Sequence, residues 1–272
     1  MIVTITVLLI LIALVLFLIA PARPRPEQKK SFYKRNFAHR GLYAQDQSVP
    51  ENSMTAFRAA VAAGYGIELD IHLTKDGDLA VIHDTSLKRT AGADIKITDL
   101  TLAEASAYHL EGTEETIPAF HQVLDLYAGK APLIIELKAD GNNQQQLVDT
   151  AVAAMTGYKG AWCMESFDPR CVYYLKKNHP EVIRGQLTEN FFASKNNLPW
   201  IVKFLLTNNL LNFLTQPDFV SYRFDHRNAT PTNAAWKKLW KLQPVTWTIR
   251  SQEDYDTAVK EGWLPIFENF RP

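Results

Sequence analysis

From Asn36 onward, short apolar runs alternate with stretches of helical periodicity to the end of the chain. The runs Asn36–His39, Gly66–Leu73, Leu79–His83, Leu133–Lys138, Ala161–Phe167, Ile183–Leu187, Phe219–Tyr222, Pro244–Ile249 and Leu264–Glu268 have the length and composition of strands. Between them, Met54–Ala63, Gln144–Met155, Pro169–Asn178, Thr232–Lys241 and Gln252–Glu261 read as helices. Asn52 or Ser53 can cap the first of these, and Gly64 stops it. Regular β–α alternation implies a parallel sheet, and roughly eight strands in about 240 residues favour a closed (β/α)₈ TIM barrel over an open doubly wound sheet. Residues 76–128 break the rhythm with extra elements, opening on a hairpin turn at Asp76-Gly77.

The front of the chain follows a different pattern. Ile2 to Ala20 is an uncharged run of 19 residues, interrupted only by Thr4 and Thr6. As a helix it would extend ~28 Å, close to the thickness of a bilayer core, and predicts a single transmembrane anchor. The competing readings are a buried helix and a cleaved signal peptide; the latter needs a positive leading region, which is missing, and a small-residue cleavage site, for which Ala20-Pro21-Ala22-Arg23-Pro24 is a poor context. Arg23, Arg25, Lys29, Lys30, Lys34 and Arg35 follow the run, so the positive-inside rule predicts a single-pass membrane protein with its catalytic domain on the cytoplasmic side. The expected organisation is an anchor over 1–21, a basic, proline-containing linker over 22–32 and a barrel domain over 33–272, with an insertion at about 76–118 after the second strand. Residues 191–214 are too apolar for an ordinary exposed loop; they either cover the barrel or meet the lipid bilayer.

Charge and cysteine content narrow the function. Twenty-nine basic and 29 acidic residues balance to zero, which excludes a nucleic-acid binder that works by neutralising phosphates. Two cysteines, Cys163 and Cys171, make neither a disulfide framework nor a zinc site. No glycine-rich nucleotide loop follows the first strand. No protein partner is implied.

Active sites of such barrels form at the C-terminal ends of the strands, and here those ends are charged. The first ends in His39-Arg40-Gly41, the second carries Glu68-Leu69-Asp70 with His72 beyond, the third ends in His83-Asp84, and Glu136-Leu137-Lys138 closes the fourth. Glu68 and Asp70, two apart on a strand, share a face, and two buried carboxylates on one face repel unless a cation joins them. With Glu136 they make a hard, oxygen-lined site suited to one divalent cation, Ca²⁺ or Mg²⁺. The competing reading is a structural carboxylate–Lys/Arg network. His39 and His83 can serve as acid and base, and Arg40 offers a planar fork to phosphate oxygens.

At these residues the chain resembles the glycerophosphodiester phosphodiesterase family. The likeness runs through Ala38-His39-Arg40-Gly41, Pro50-Glu51-Asn52-Ser53 with Ala56-Phe57, Glu68 to Gly77, His83-Asp84, Leu87 and Arg89 to Gly92, and continues at Ile117-Pro118, Glu136-Leu137-Lys138, Ser166-Phe167-Asp168 and Trp247-Thr248. It implies the phosphodiesterase type of barrel, with Glu68, Asp70 and Glu136 on the cation, His39 and His83 as the acid–base pair, and Arg40 and Lys138 near the phosphate. The implied reaction cleaves a glycerophosphodiester to sn-glycerol 3-phosphate and an alcohol, with Trp247 as a wall for a glycerol or choline-like group. Alternatives are a lysophospholipase D working on membrane lysophospholipids, and a catalytically silent, membrane-tethered phosphate-binding module. The chain departs from the family where members often read Trp-Thr-Val-Asn, having Trp247-Thr248-Ile249-Arg250, where Phe267-Glu268-Asn269 replaces the closing Thr-Asp, and at Glu165. These departures are expected to line the substrate end of the barrel and not its catalytic core.

Overall fold

A computed structural model describes residues 2–22, 32, 35–240 and 242–272. Most of the expected linker, 22–32, lies outside the described residues. Nine strands form where the apolar runs predict them: β1 (Phe37–His39), β2 (Gly66–Leu73), β3 (Leu79–Val81), β4 (Leu133–Leu137), β5 (Trp162–Ser166), β6 (Arg184–Thr188), β7 (Phe219–Arg223), β8 (Val245–Ile249) and β9 (Leu264–Phe267). All but β3 pair in parallel, and β1 pairs with both β9 and β2, so these eight close into a barrel. β3 folds back antiparallel on β2 through the Asp76-Gly77 turn, where Gly77 has φ +87. Helices α2 (Met54–Ala62), α5 (Phe120–Tyr127), α6 (Gln144–Ala154), α7 (Pro169–Asn178), α10 (Thr232–Leu239) and α11 (Gln252–Lys260) lie outside the sheet, while the short α3 (Lys88–Ala91) and α4 (Leu102–Ala105) fall in the segment after β3. That segment has a small apolar core of its own, including Ile82, Leu87, Ile97, Leu110 and Ile117.

Packing explains the barrel's polarity. Its lower end is filled by Phe37, Ile134, Cys163, Ile183, Phe219, Val245 and Leu264, with Phe32 against them. Gly185 on β6 is required there, because a Cβ would come within 2.3 Å of the Phe219 ring. A plugged lower end leaves the upper mouth for chemistry.

The N-terminal helix α1 (Ile2–Leu18) overturns the anchor reading. It has 17 residues, about 25 Å at the helical rise, against ~30 Å of hydrocarbon. Its end turns into the protein: Ile19 is buried in the main core, Leu16 and Leu18 pack against it, and Phe17 meets Phe213 at 5.5 Å. The backbone N–H of Ala22 then donates to Pro217. No helix among the described residues is long and apolar enough to cross a membrane, so the single-pass localisation and its cytoplasmic orientation do not hold.

The apolar stretch 191–214 splits. It contains α8 (Trp200–Thr207) and leads to α9 (Asn212–Thr215). Phe191 and Leu210 are buried, and Leu205 packs on the core. Phe192, Trp200, Ile201 and Phe204 are exposed, with the Trp200 and Phe204 rings stacked at 5.6 Å.

Candidate active site

Strand register assembles the upper mouth. Parallel pairing sets His39 beside Glu68, Asp70 beside Glu136 and Glu136 beside Glu165. Four carboxylates therefore follow one another across three adjacent strands. Side-chain oxygens of Glu68, Asp70 and Glu136 lie within 4.8 Å of one another, and all three residues are buried.

The loop after β1 is bent to bring Arg40 into this cluster. Arg40 takes a left-handed backbone (φ 54), donates its N–H to the Glu68 carbonyl and accepts from Asn52 through its own. Such strained positions concentrate at functional sites. Gly41 follows at φ +83, where a Cβ would sit 2.9 Å from Ala56. Ser53, not Asn52, caps α2; the Asn52 amide instead donates to Asp70 Oδ2 at 2.9 Å. The Arg40 guanidinium bonds Glu51 at 2.9 Å and stands 3.4 Å from Asp70.

Lys138 joins from the end of β4, 3.1 Å from Asp70 and 2.7 Å from Glu136. Burial would raise the Asp70 carboxyl, but Lys138, His83 and Arg40 hold it well below the usual range. Burial also pushes Glu68 well above that range, and repulsion from Asp70 and Glu136 adds to it. Glu136 is raised by burial despite Lys138, and Glu165 is raised further by burial and by Glu136. With all four ionised, the carboxylates would carry more negative charge than Arg40 and Lys138 offset, and burial and mutual repulsion oppose that state. A divalent cation fits this excess, with Glu68, Asp70 and Glu136 as its oxygen donors.

Two imidazoles border the cluster, and each is held through Nδ1 by a carboxylate. His83 Nδ1 lies 2.5 Å from Asp84, which also accepts from Arg89 at 2.6 Å; Arg89 in turn reaches Glu51. His39 Nδ1 lies 2.5 Å from Glu268 Oε2, and its Nε2 is 3.9 Å from Glu68. Burial and Arg40 lower the His39 pKa against the opposite pull of Glu268. His72 carries no chemistry here: it is buried, its pKa falls to about 4, and Nε2 meets the His83 backbone carbonyl at 3.1 Å.

Above the cluster is a cleft of about 330 Å³ lined by His39, Arg40, Glu68, His83, Glu136 and Glu165, with Phe167, Glu189, Arg223 and Trp247 on its outer part. Trp247 packs edge-on against Phe167 at 5.5 Å and donates to the Ser221 carbonyl. Of the site residues expected from sequence, His39, His83, Arg40, Glu68, Glu136 and Trp247 line this cleft, whereas Asp70 and Lys138 do not line it but pack in the carboxylate cluster with Glu136. Of the departures expected at the substrate end, Glu165 lines it and Arg250 and Glu268 do not. Glu268 was placed at the substrate end; it bonds the imidazole of the inner cluster instead. The signal for it is topological, since a closed barrel sets the end of β9 beside the end of β1.

A closed parallel barrel with a carboxylate cluster and two histidines at its upper rim has the architecture and donor set of a candidate enzyme active site, and comparison with known proteins narrows it. The model of the glycerophosphoryl diester phosphodiesterase family matches residues 39–270, and the chain belongs to that family. A glycerophosphodiester phosphodiesterase of Caldanaerobacter subterraneus is 39% identical over 235 residues, covering 83% of this chain and 89% of the relative. Lysophospholipase D of Rattus norvegicus is 33% identical over 138 residues, 46% of this chain but only 43% of that protein. An Oleispira antarctica phosphodiesterase, solved with its product sn-glycerol-3-phosphate, superposes with a TM-score of 0.71 at 20% identity, over 88% of this chain and 94% of that one.

Proposed function

We propose that the upper mouth hydrolyses glycerophosphodiesters to sn-glycerol 3-phosphate and an alcohol, using one divalent cation, Ca²⁺ or Mg²⁺, on Glu68, Asp70 and Glu136. The observation that carries this reading is the pairing of that carboxylate cluster with two imidazoles, each fixed at Nδ1 and bordering the same cleft. A bound cation would offset the diester's negative charge and the further charge that develops in the transition state. Arg40 and Lys138, both mostly buried beside the carboxylate cluster, add fixed positive charge where phosphate oxygens would lie. One imidazole takes the proton of the attacking hydroxyl, which is water or the substrate's own glycerol hydroxyl; in the second case the cyclic phosphate that forms is opened by water in a further displacement. The other gives a proton to the departing alkoxide as its P–O bond breaks. Phe167 and Trp247 supply an aromatic wall for the group that leaves or stays.

The test is release of glycerol 3-phosphate from glycerophosphocholine. Chelation should abolish turnover and added Ca²⁺ or Mg²⁺ should restore it, while Glu68→Gln, Asp70→Asn and Glu136→Gln should each lower it at least ~100-fold. Full turnover in chelator would reject the metal-dependent reading.

A lysophospholipase D activity is the second reading. It is favoured by the exposed strip of Phe192, Trp200, Ile201 and Phe204, which follows the cleft residue Glu189 along the chain. Hydrolysis of lysophosphatidylcholine beside glycerophosphocholine separates the two.

A further inference from the structure

The two stretches in which the later half departs from its family meet in space, and they meet on a catalytic candidate. Arg250 follows β8 and Glu268 follows β9, and the Arg250 Nε donates to Glu268 Oε1 at 2.7 Å. The other Glu268 oxygen, Oε2, takes the His39 Nδ1 contact at 2.5 Å. Glu268 is only 6% exposed, whereas Arg250 lies at the surface. Neither side chain lines the cleft, so neither is placed to touch substrate.

We infer that Glu268, braced by Arg250, is a positioning residue that fixes the ring orientation and tautomer of His39 for the reaction proposed above. A carboxylate ion-paired with Arg250 has no proton to give, so the neutral imidazole must donate to it from Nδ1. Nε2 is then left with its lone pair, and Nε2 is the nitrogen turned towards Glu68 and the carboxylate cluster. The arrangement follows a general rule for imidazoles at reactive centres: the hydrogen bond on one ring nitrogen decides what the other can do, and losing that partner typically costs about 10–100-fold. Arg250 acts one step further out, by keeping Glu268 ionised and in a single rotamer. The inference rests on His39 being one of the acid–base pair, but the tautomer itself is independent of any activity.

The experiment uses the full chain supplied with Mg²⁺ or Ca²⁺ and glycerophosphocholine, together with ¹⁵N NMR of the histidine-labelled protein, with the His39 signals assigned through His39→Gln. Glu268→Gln should lower kcat by about 10–100-fold and leave KM within about twofold, because the residue acts on the imidazole and not on substrate. Arg250→Asn should lower kcat by roughly 3–10-fold alone and by nothing more in the Glu268→Gln background, since it works only through that carboxylate. Wild-type His39 should show a protonated Nδ1 and an unprotonated Nε2, and Glu268→Gln should lose that signature. Glu268→Asp, which keeps the charge, should recover part of the loss and keeps the test available if the Gln variant does not fold. A kcat within twofold of wild type for Glu268→Gln, a loss confined to KM, or His39 signals unchanged between the two proteins would overturn the inference. Absence of turnover in the wild type would count against the proposed function instead, and the NMR comparison would then decide the inference by itself.

Discussion

The carboxylate that holds His83 is its next residue in the chain, whereas the one that holds His39 comes from 229 residues away. In geometry the two contacts match: each runs from Nδ1 to a carboxylate oxygen at 2.5 Å, and each carboxylate is braced in turn by an arginine, Arg89 or Arg250. They differ in setting. The Asp84 side chain is 29% exposed on a loop of the inserted segment, and the Glu268 side chain is 6% exposed at the seam where the barrel closes. One holder is local and wetted; the other is remote and dry. A hydrogen bond to a charged group gains strength as water is excluded from around it, so Glu268 should constrain its imidazole more firmly than Asp84 does.

The largest effect should come from removing the rings themselves. His39→Ala and His83→Ala should each lower turnover by about 10²–10⁴-fold, as general acid–base groups do, and His39→Ala should also lose some stability because it leaves the buried Glu268 without its imidazole partner. His109→Ala and His121→Ala serve as controls and should be near neutral; His109 meets only the nearby Thr113 carbonyl. If the controls fall as far as the pair, the acid–base assignment is wrong. If only one of the pair matters, the symmetry of the two holders is accidental.

A smaller effect should separate the holders. Asp84→Asn should lower kcat by only about 3–10-fold, less than the matching change at Glu268, since water can reach the loop and replace part of the lost contact. An Asp84→Asn loss as large as that of Glu268→Gln would show that exposure does not set the strength of the hold.

The same contrast explains what was legible in the sequence. His83-Asp84 can be read directly, because neighbours on a strand end cannot be far apart. Glu68, Asp70 and Glu136 were legible through strand alternation, and parallel register then sets Asp70 beside Glu136. Glu268 was visible as a departure from the family but not as a partner of His39, because that contact requires the barrel to close with Ala38 against Phe267. Asn52 and Ser53 both read as candidate helix caps; Ser53 is the one that caps, and the Asn52 amide holds Asp70 instead. The N-terminal run misled for a different reason. Its composition fits lipid, but composition says nothing of where the helix ends, and Leu18 and Ile19 turn into the core.

The smallest expected effect lies in the acid range of stability, and it too should distinguish the holders. Burial would raise the Glu268 carboxyl, but His39, Tyr43 and Arg250 draw it down from 4.5 to about 2 in the folded protein. A carboxylate held below its unfolded value contributes stability that is complete above about pH 4.5 and is lost as the pH falls towards its folded value. For Glu268 that window runs from about pH 4.5 to about pH 2, and the loss across it should not exceed roughly 3–4 kcal/mol. His39 acts in the same direction but earlier. Its lowered value means that the unfolded chain binds a proton first, so acid begins to favour unfolding as the pH falls below about 6.5. Urea unfolding of the chelated protein at a series of pH values can therefore separate the two steps. Relative to wild type, Glu268→Gln should flatten the curve between pH 4.5 and 2, while His39→Gln should flatten the part that starts near pH 6.5. A Glu268→Gln protein that loses stability with acid as steeply as wild type below pH 4.5 would mean that Glu268 is not ionised against its partners, and the buried holder would then be no firmer than the exposed one.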